Sequence, residues 1–349
     1  DGGDGTDTLA MDMATGGASL DGVTLTSVER AELTNFSMDD VVAAAGVLNG
    51  LFDAGITTVN WTDEGETFSA TRSGGKVTVM DGEGAKTAEV VSGTPANAFQ
   101  SVVTEFEDGK ISAQTIAWND GAVQTKTYGA DGKVTGSVID RGDYKNAFTF
   151  DPATGKTTSQ TTTDVNDVFS FQSSTLTFDA NGKVASKVTL DDDGNTTTEI
   201  YAGGIIQSRV TVDGAGDPES PWSSITNTFD AAGALATTYH QYDAGTGIMQ
   251  GSNAANTLKG ALGYHDALIG NGGADTFVFS VGGGVDRVLD FSQAQGDKLD
   301  LTAFGINDKT DFTAYVQTSN ALIVDLGNGD VMQLNNMTYA ALNTADFIA

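Results

Sequence analysis

Four stretches of this 349-residue chain place an acidic or amide side chain behind a cluster of glycines and just ahead of an apolar residue. Gly2-Gly3-Asp4-Gly5-Thr6-Asp7-Thr8-Leu9-Ala10 fits the pattern G-G-x-G-x-D-x-U-x, with U apolar, at every fixed position. Gly270-Asn271-Gly272-Gly273-Ala274-Asp275-Thr276-Phe277-Val278 departs from it only at the second glycine. Gly260 to Leu268 keeps the glycines, Asp266 and the apolar residue around one insertion, and Gly251 to Lys259 carries Asn256 where an acid is expected. The apolar markers Leu258, Leu268 and Phe277 stay 10 and 9 residues apart. Carboxylates and the carbonyls of glycine-rich loops are hard oxygen ligands, the chemistry that suits calcium. Asp4, Asp7, Asn256, Asp266, Asp275, Asp286 and Asp290 are therefore the candidate metal ligands. Asn256 lacks a charge and predicts a weaker site. For Asp290, and for Asp297 beyond it, solvation at the surface competes with ligation. The alternative for the whole set is a series of ordinary turns in a metal-free β-solenoid.

Other reactive groupings are missing from the sequence. There is no H-E-x-x-H, no G-x-S-x-G and no cysteine, so metalloprotease, serine-hydrolase and thiol chemistry lack their usual signatures. Of the two histidines, His240 and His265, the second adjoins Asp266 and reads as a loop residue more readily than as a general base. Paired-carboxylate glycosidase chemistry stays open, because acids are abundant and their separation in space is not legible. The expectation is a protein that is not an enzyme.

The formal net charge is −30, from 47 acidic and 17 basic residues. A chain so poor in clustered Lys and Arg is not expected to bind nucleic acid. No apolar run approaches the ~18 residues of a membrane helix, and no signal-peptide pattern opens the sequence, so neither membrane insertion nor Sec export is expected. A halophile's solvated surface and a calcium-loaded extracellular protein both account for the charge. Disorder accounts for it less well, because Val, Ile, Phe and Thr recur in alternating runs.

The elements that must position these groups follow from periodicity. Residues 38–53 read as an amphipathic helix, with Ser37 and Asp40 in capping-box spacing and Val41, Ala45, Leu48 and Phe52 on one face. Val23 to Leu25 and Ala31 to Leu33 read as strands. A second helix starting at Thr94-Pro95 competes with a strand over the same stretch. From about 56 to 249 an aromatic residue is repeatedly followed by Gly, usually with Lys next. Phe106, Tyr128, Phe150, Phe178, Tyr201 and Phe229 lie 22, 22, 28, 23 and 28 residues apart, which is two strands plus two turns. That is a β-meander, with the Gly-containing turns closing hairpins. Trp61, Trp118 and Trp222 read either as core or as an exposed carbohydrate-binding face.

Two family resemblances rest on these residues. The aromatic-turn units resemble a degenerate YD-repeat, the hairpin unit of large secreted shells. The nonapeptides resemble the RTX, or repeats-in-toxin, family of Gram-negative bacteria. The RTX resemblance implies a parallel β-roll in which calcium lies between loops one coil apart. Asn256 would then face the Asp275 loop, and Asp266 would face the segment ending in Asp286. Val288-Leu289-Asp290-Phe291 and Gly296 to Leu301 are similar to the segment capping such rolls. Leu322 to Leu334 reads as a hairpin, and Asp346-Phe347-Ile348-Ala349 resembles an uncleaved type I secretion signal.

The implied fold is all-β, with parallel β-roll or solenoid segments at both ends flanking an antiparallel meander and one short helix near residue 40. Its expected divisions are 1–55, 56–249, 250–303 and 304–349. The implied protein is secreted to the exterior or cell surface of a Gram-negative bacterium. It takes up calcium there, folds, and assembles with its own kind as a matrix fibre, surface layer or adhesin. A cell-surface polysaccharide is the second partner class, and a polysaccharide-binding or glycan-hydrolysing RTX protein is the alternative reading.

Overall fold

A computed structural model describes residues 4–13, 25, 27–214, 221–242 and 244–348. The fold is all-β, and the chain divides into two compact units, Asp1–Phe169 and Ser170–Ala349.

The first unit opens with β1 (Thr8–Asp12) and β2 (Arg30–Thr34), then α1 (Val41–Asp53) and β3 (Thr58–Asp63). β1, β2 and β3 pair in parallel, so this end is a short solenoid stack. Helix α1 buries Ala44, Ala45, Leu48, Leu51 and Phe52 in a core that also holds Ala31, Leu33, Val59 and Trp61. It starts three residues later than its periodicity predicts. Asp40 is the N-cap and accepts from the Ala43 N–H at 3.0 Å, whereas the Ser37 hydroxyl bonds to Asp39. Of the strand expected at Val23 to Leu25, residues 23 and 24 lie outside the described residues and Leu25 is in no strand.

An antiparallel meander continues the unit through β4 (Glu66–Ser73), β5 (Lys76–Asp81), β6 (Lys86–Ser92) and β7 (Phe99–Glu107). It goes on through β8 (Lys110–Trp118), β9 (Val123–Tyr128), β10 (Val134–Asp140), β11 (Tyr144–Phe150) and β12 (Thr157–Asp164). The stretch after Thr94 is thus strand β7 and not a helix. Alternation decides it: Ser101 and Val103 point inward, and both edges of β7 find partners in β6 and β8.

The second unit repeats the meander with β13 (Phe171–Phe178), β14 (Val184–Asp191), β15 (Thr196–Ala202), β16 (Ile205–Val212), β17 (Trp222–Phe229), β18 (Leu235–Tyr242) and β19 (Thr246–Gly251). In both units the recurrent aromatics sit at or next to strand ends. The residues after them build the turn. Asp179 and Asp230 each accept backbone N–H groups two and four residues on, an arrangement that closes the hairpin locally. The lysine after the turn glycine reaches the next hairpin. Lys110 Nζ donates to the Ala130 carbonyl at 3.1 Å, Lys133 to Pro152 at 2.7 Å and Lys183 to Gly203 at 2.8 Å. Three hairpins are therefore tied to their successors by a cation on a carbonyl as well as by the strand ladder.

β19 changes the regime. It is antiparallel to β18 on one edge and parallel to β21 (His265–Ile269) on the other, and between them lies β20 (Thr257–Lys259). The chain then coils through β22 (Thr276–Val278), β23 (Val285–Val288) and β24 (Lys298–Asp300). Odd strands β19, β21 and β23 stack in one parallel sheet, and even strands β20, β22 and β24 in another. Leu258, Leu268, Phe277, Val288 and Leu299 fill the space between as one core. This is a parallel β-roll. After β25 (Ala314–Gln317) comes the expected hairpin, β26 (Ala321–Gly327) and β27 (Asp330–Asn335), and β27 joins the first sheet beside β23. Phe347 bridges to Leu299 and extends the second sheet, so the segment expected to be a secretion signal is packed onto the roll; residue 349 lies outside the described residues.

Trp61 is buried between Phe36, edge-on at 5.1 Å, and Phe68, stacked at 5.5 Å. It belongs to the core and not to an exposed glycan face, whereas Trp118 and Trp222 are half-buried. Trp61→Ala is expected to destabilise the first unit by about 3–5 kcal/mol, read by denaturant unfolding.

Candidate metal centre

The roll encloses acids. Asp266, Asp275, Asp286, Asp297, Asp330 and Asp346 are all buried, and among the described residues none forms an ion pair with a lysine or arginine. They lie where successive coils stack. At the entry to the second sheet stand Asn256, Asp275 and Asp297, each just ahead of its strand; in the first sheet Asp266 lies beside Asp286. The two facing relations implied by the nonapeptide rhythm, Asn256 with the Asp275 loop and Asp266 with the Asp286 segment, are both present.

A single motif connects the coils: the acid of one coil accepts the backbone N–H of its counterpart one coil earlier. Asn256 N donates to Asp275 Oδ1 at 2.8 Å, and Asp275 N to Asp297 Oδ1 at 2.9 Å. In the other column Asp266 N donates to Asp286 Oδ1 at 3.1 Å. The same link occurs in the first unit, where Asp7 N donates to Glu29 Oε2 at 3.0 Å. Amide bonds of this kind favour ionised carboxylates and hold them in place.

Other oxygens are also engaged. Asp266 accepts from the Tyr239 hydroxyl at 2.8 Å and from Ala261 N at 2.6 Å. Asp290 accepts from Gly270 N and Asn271 N, and Asp330 from Gly282 N and Gly284 N. Asp297 Oδ2 takes Ser292 N. Asp275 Oδ2 is different, being fully buried with no hydrogen-bond partner. Gly270 is required beside it, because a β-carbon there would collide with that oxygen, and Gly260 stands in the same relation to Asp266. Glycine thus clears space for the folded-back carboxylate as well as for the loop carbonyls.

The described residues contain no cluster of three or more His, Cys, Asp or Glu side chains able to hold a metal by themselves. A cation here would need backbone carbonyls to complete its shell. Within that limit the donor set fits a hard divalent ion: all candidate donors are oxygen, one buried carboxylate oxygen is unpartnered, and the surrounding negative charge has no cationic side chain to offset it.

The expected ligands fare differently. Asp275, Asp286 and Asp266 are buried in the coil columns, and Asn256 joins them with Oδ1 turned to its own loop at Ser252 N. Asp290 is half-buried and amide-bound, and Asp297 is buried, not solvated. Asp4 is exposed, and Asp7 is half-buried with an unpartnered Oδ2. Glu29, Asp330 and Asp346 escaped the sequence reading because none lies in a nonapeptide. His265 accepts the Val285 N–H on Nδ1, a loop contact.

Burial pushes the Asp286 carboxyl up to about 7, with the Asp266 and Asp330 charges adding to the rise against the bond from Asp266 N. Asp275 and Asp266 are raised by burial as well. An acid whose folded pKa exceeds its unfolded value near ~3.9 binds its proton more tightly when folded. Its contribution is complete below the unfolded pKa and disappears as pH rises through the folded one. In chelator, the melting temperature of the second unit is therefore expected to fall between about pH 5 and about pH 8; a rise over that window would contradict the burial argument.

The chain matches no protein-family profile. It also matches no curated protein sequence. Among solved structures it overlays part of the extracellular lipase LipA from Serratia marcescens at 15% identity and a TM-score of 0.21, over 47% of this chain and 29% of that one. The overlay on TarM has 11% identity, a TM-score of 0.22 and coverage of 45% and 39%. A porin-like protein from Bacteroides uniformis gives 13% identity, a TM-score of 0.15 and coverage of 51% and 84%. The chain thus spans well under half of the lipase and of TarM, and overlays at these scores carry no argument about activity. No helix among the described residues is long and apolar enough to cross a membrane.

Proposed function

We propose that this chain is a secreted structural protein of the repeats-in-toxin type, whose β-roll takes up calcium outside the cell and there completes its fold. The observation that carries the reading is the set of buried, cation-free carboxylates in the roll, with Asp275 Oδ2 left bare. Calcium would supply positive charge and accept oxygen ligands; Asp275 and Asp286, with loop carbonyls, are the residues to hold it. The amides of Asn256 and Asp266 keep one oxygen of each carboxylate fixed, so the second is already oriented.

In calcium-poor cytoplasm the mutual repulsion of these acids disfavours the roll and leaves a chain able to thread an export channel. At a hundredfold excess of calcium over its dissociation constant, binding adds about 2.7 kcal/mol to stability. The role we assign is architectural and not catalytic: a fibre, layer or adhesin component built by self-association. The parallel ladder supports assembly. Among the described residues β1 pairs with β2 alone, and Asp7 beside it has a buried oxygen with no hydrogen-bond partner there.

A calcium titration followed by circular dichroism and light scattering tests both halves. The expected result is a cooperative gain of β-structure in chelated protein, followed by rising scattering that deletion of residues 1–10 abolishes. An identical spectrum with and without calcium would defeat the proposal. Asp275→Asn is expected to leave the chelated protein within about 1 kcal/mol of the parent or more stable, since it removes a buried unpaired charge, while most of the calcium-induced rise in melting temperature is lost.

A further inference from the structure

One face of β9, β10, β11 and β12 in the first unit carries a groove of about 650 Å3. That is within the ~300–1,000 Å3 range of small-molecule sites. The ladder registers set the lining. Lys126, Ser137 and Phe148 are direct cross-strand partners and so share a face, and Ile139 and Phe150 lie two residues along on the same side. Pro152 and the stem of Lys133 close one end. The floor is apolar, made by Ile139, Phe148 and Phe150 with Val134.

The charge of this groove is opposite to that of the molecule. Its lining contains two lysines and no carboxylate, in a chain with 47 acids and 17 bases. Lys133 is already bonded to the Pro152 carbonyl and pairs with Asp131 at 4.0 Å, so Lys126 is the cation left to a ligand. Lys126 is half-buried and has no hydrogen bond or ion pair with any described residue. Beside it, the buried Ser137 hydroxyl accepts from Gln124 Nε2 at 3.0 Å, which leaves its own proton to donate. An ammonium and a hydroxyl donor adjoin an aromatic and aliphatic floor. This pairing is complementary to a ligand with one anionic head and an apolar body.

We propose that this groove binds a free single-chain amphipathic anion, with a carboxylate, sulfate or sulfonate head at Lys126 and Ser137 and its hydrocarbon over Ile139, Phe148 and Phe150. The site is separate from the acidic roll and stands whether or not the roll takes calcium.

Isothermal titration of the whole protein with octanesulfonate, octanol and octyltrimethylammonium, all below their aggregation limits, tests the proposal. Saturable one-to-one binding of the sulfonate is expected, with octanol about tenfold weaker or more, because a charge-assisted hydrogen bond is lost, and with no binding of the cation. Lys126→Met should weaken the sulfonate about tenfold, bringing it near octanol, and leave octanol binding unchanged. The head-group series in the unaltered protein reads the same claim should that variant fail to fold. Equal binding of sulfonate and octanol, no saturable binding, or tighter binding of tri-galacturonate, which would make the groove a site for acidic oligosaccharide, would each overturn it.

Discussion

Carboxylates buried in stacked coils, with no lysine or arginine to meet them, are the constraint around which the second unit is built. An ionised group removed from water costs several kcal/mol unless something replaces its solvation. Here backbone N–H groups do part of this. Asp275, Asp286 and Asp297 each cap the amide of the coil before, while burial first, and neighbouring negative charge second, raise the Asp286 and Asp275 carboxyls. Glycine at 260 and 270 follows from the same constraint, since the carboxylate folds into the space a side chain would occupy. So does the apolar spacing, which sends Leu258, Leu268 and Phe277 into the core while the acids line the coil edges.

The meanders solve a different problem. A single antiparallel ladder with half-buried faces has little core to hold it, and it relies on neighbouring hairpins. The aspartate turns of Asp179 and Asp230 fix their hairpins locally, while Lys110, Lys133 and Lys183 bind three hairpins to the next. This explains why a chain so short of cations places lysine after the turn glycine. β19 joins the two regimes within one unit. Its Met249 faces Tyr239 in an antiparallel register and Leu268 in a parallel one, and the Tyr239 hydroxyl on Asp266 couples the last hairpin to the first buried acid of the roll.

The fold was legible wherever a local repeat specifies it. The nonapeptide rhythm located Asp266, Asp275 and Asp286 and their partner coils, because the interval between apolar residues equals half a coil. Asp330 and Asp346 were not legible, since a hairpin excursion of some thirty residues brings the first back to the roll and the second arrives from the last packed turn. Glu29 was hidden because only its register opposite Asp7 reveals that it plays the role of a coil acid. For Asp297 the sequence left solvation and ligation open because it follows the repeats, and it completes the column. Around Thr94, helical and alternating patterns overlap, and pairing on both edges of β7 settled the matter through tertiary contacts that no local window contains. The start of α1 at Val41 turned on one side-chain cap.

The most direct test is anomalous diffraction from crystals grown in calcium. The account predicts a peak within about 2.3–2.6 Å of Asp275 Oδ2, the usual calcium–oxygen distance, with loop carbonyls completing the shell. A well-ordered roll with no peak beside Asp275 or Asp286 would contradict it, since the buried acids would then be held by amides alone.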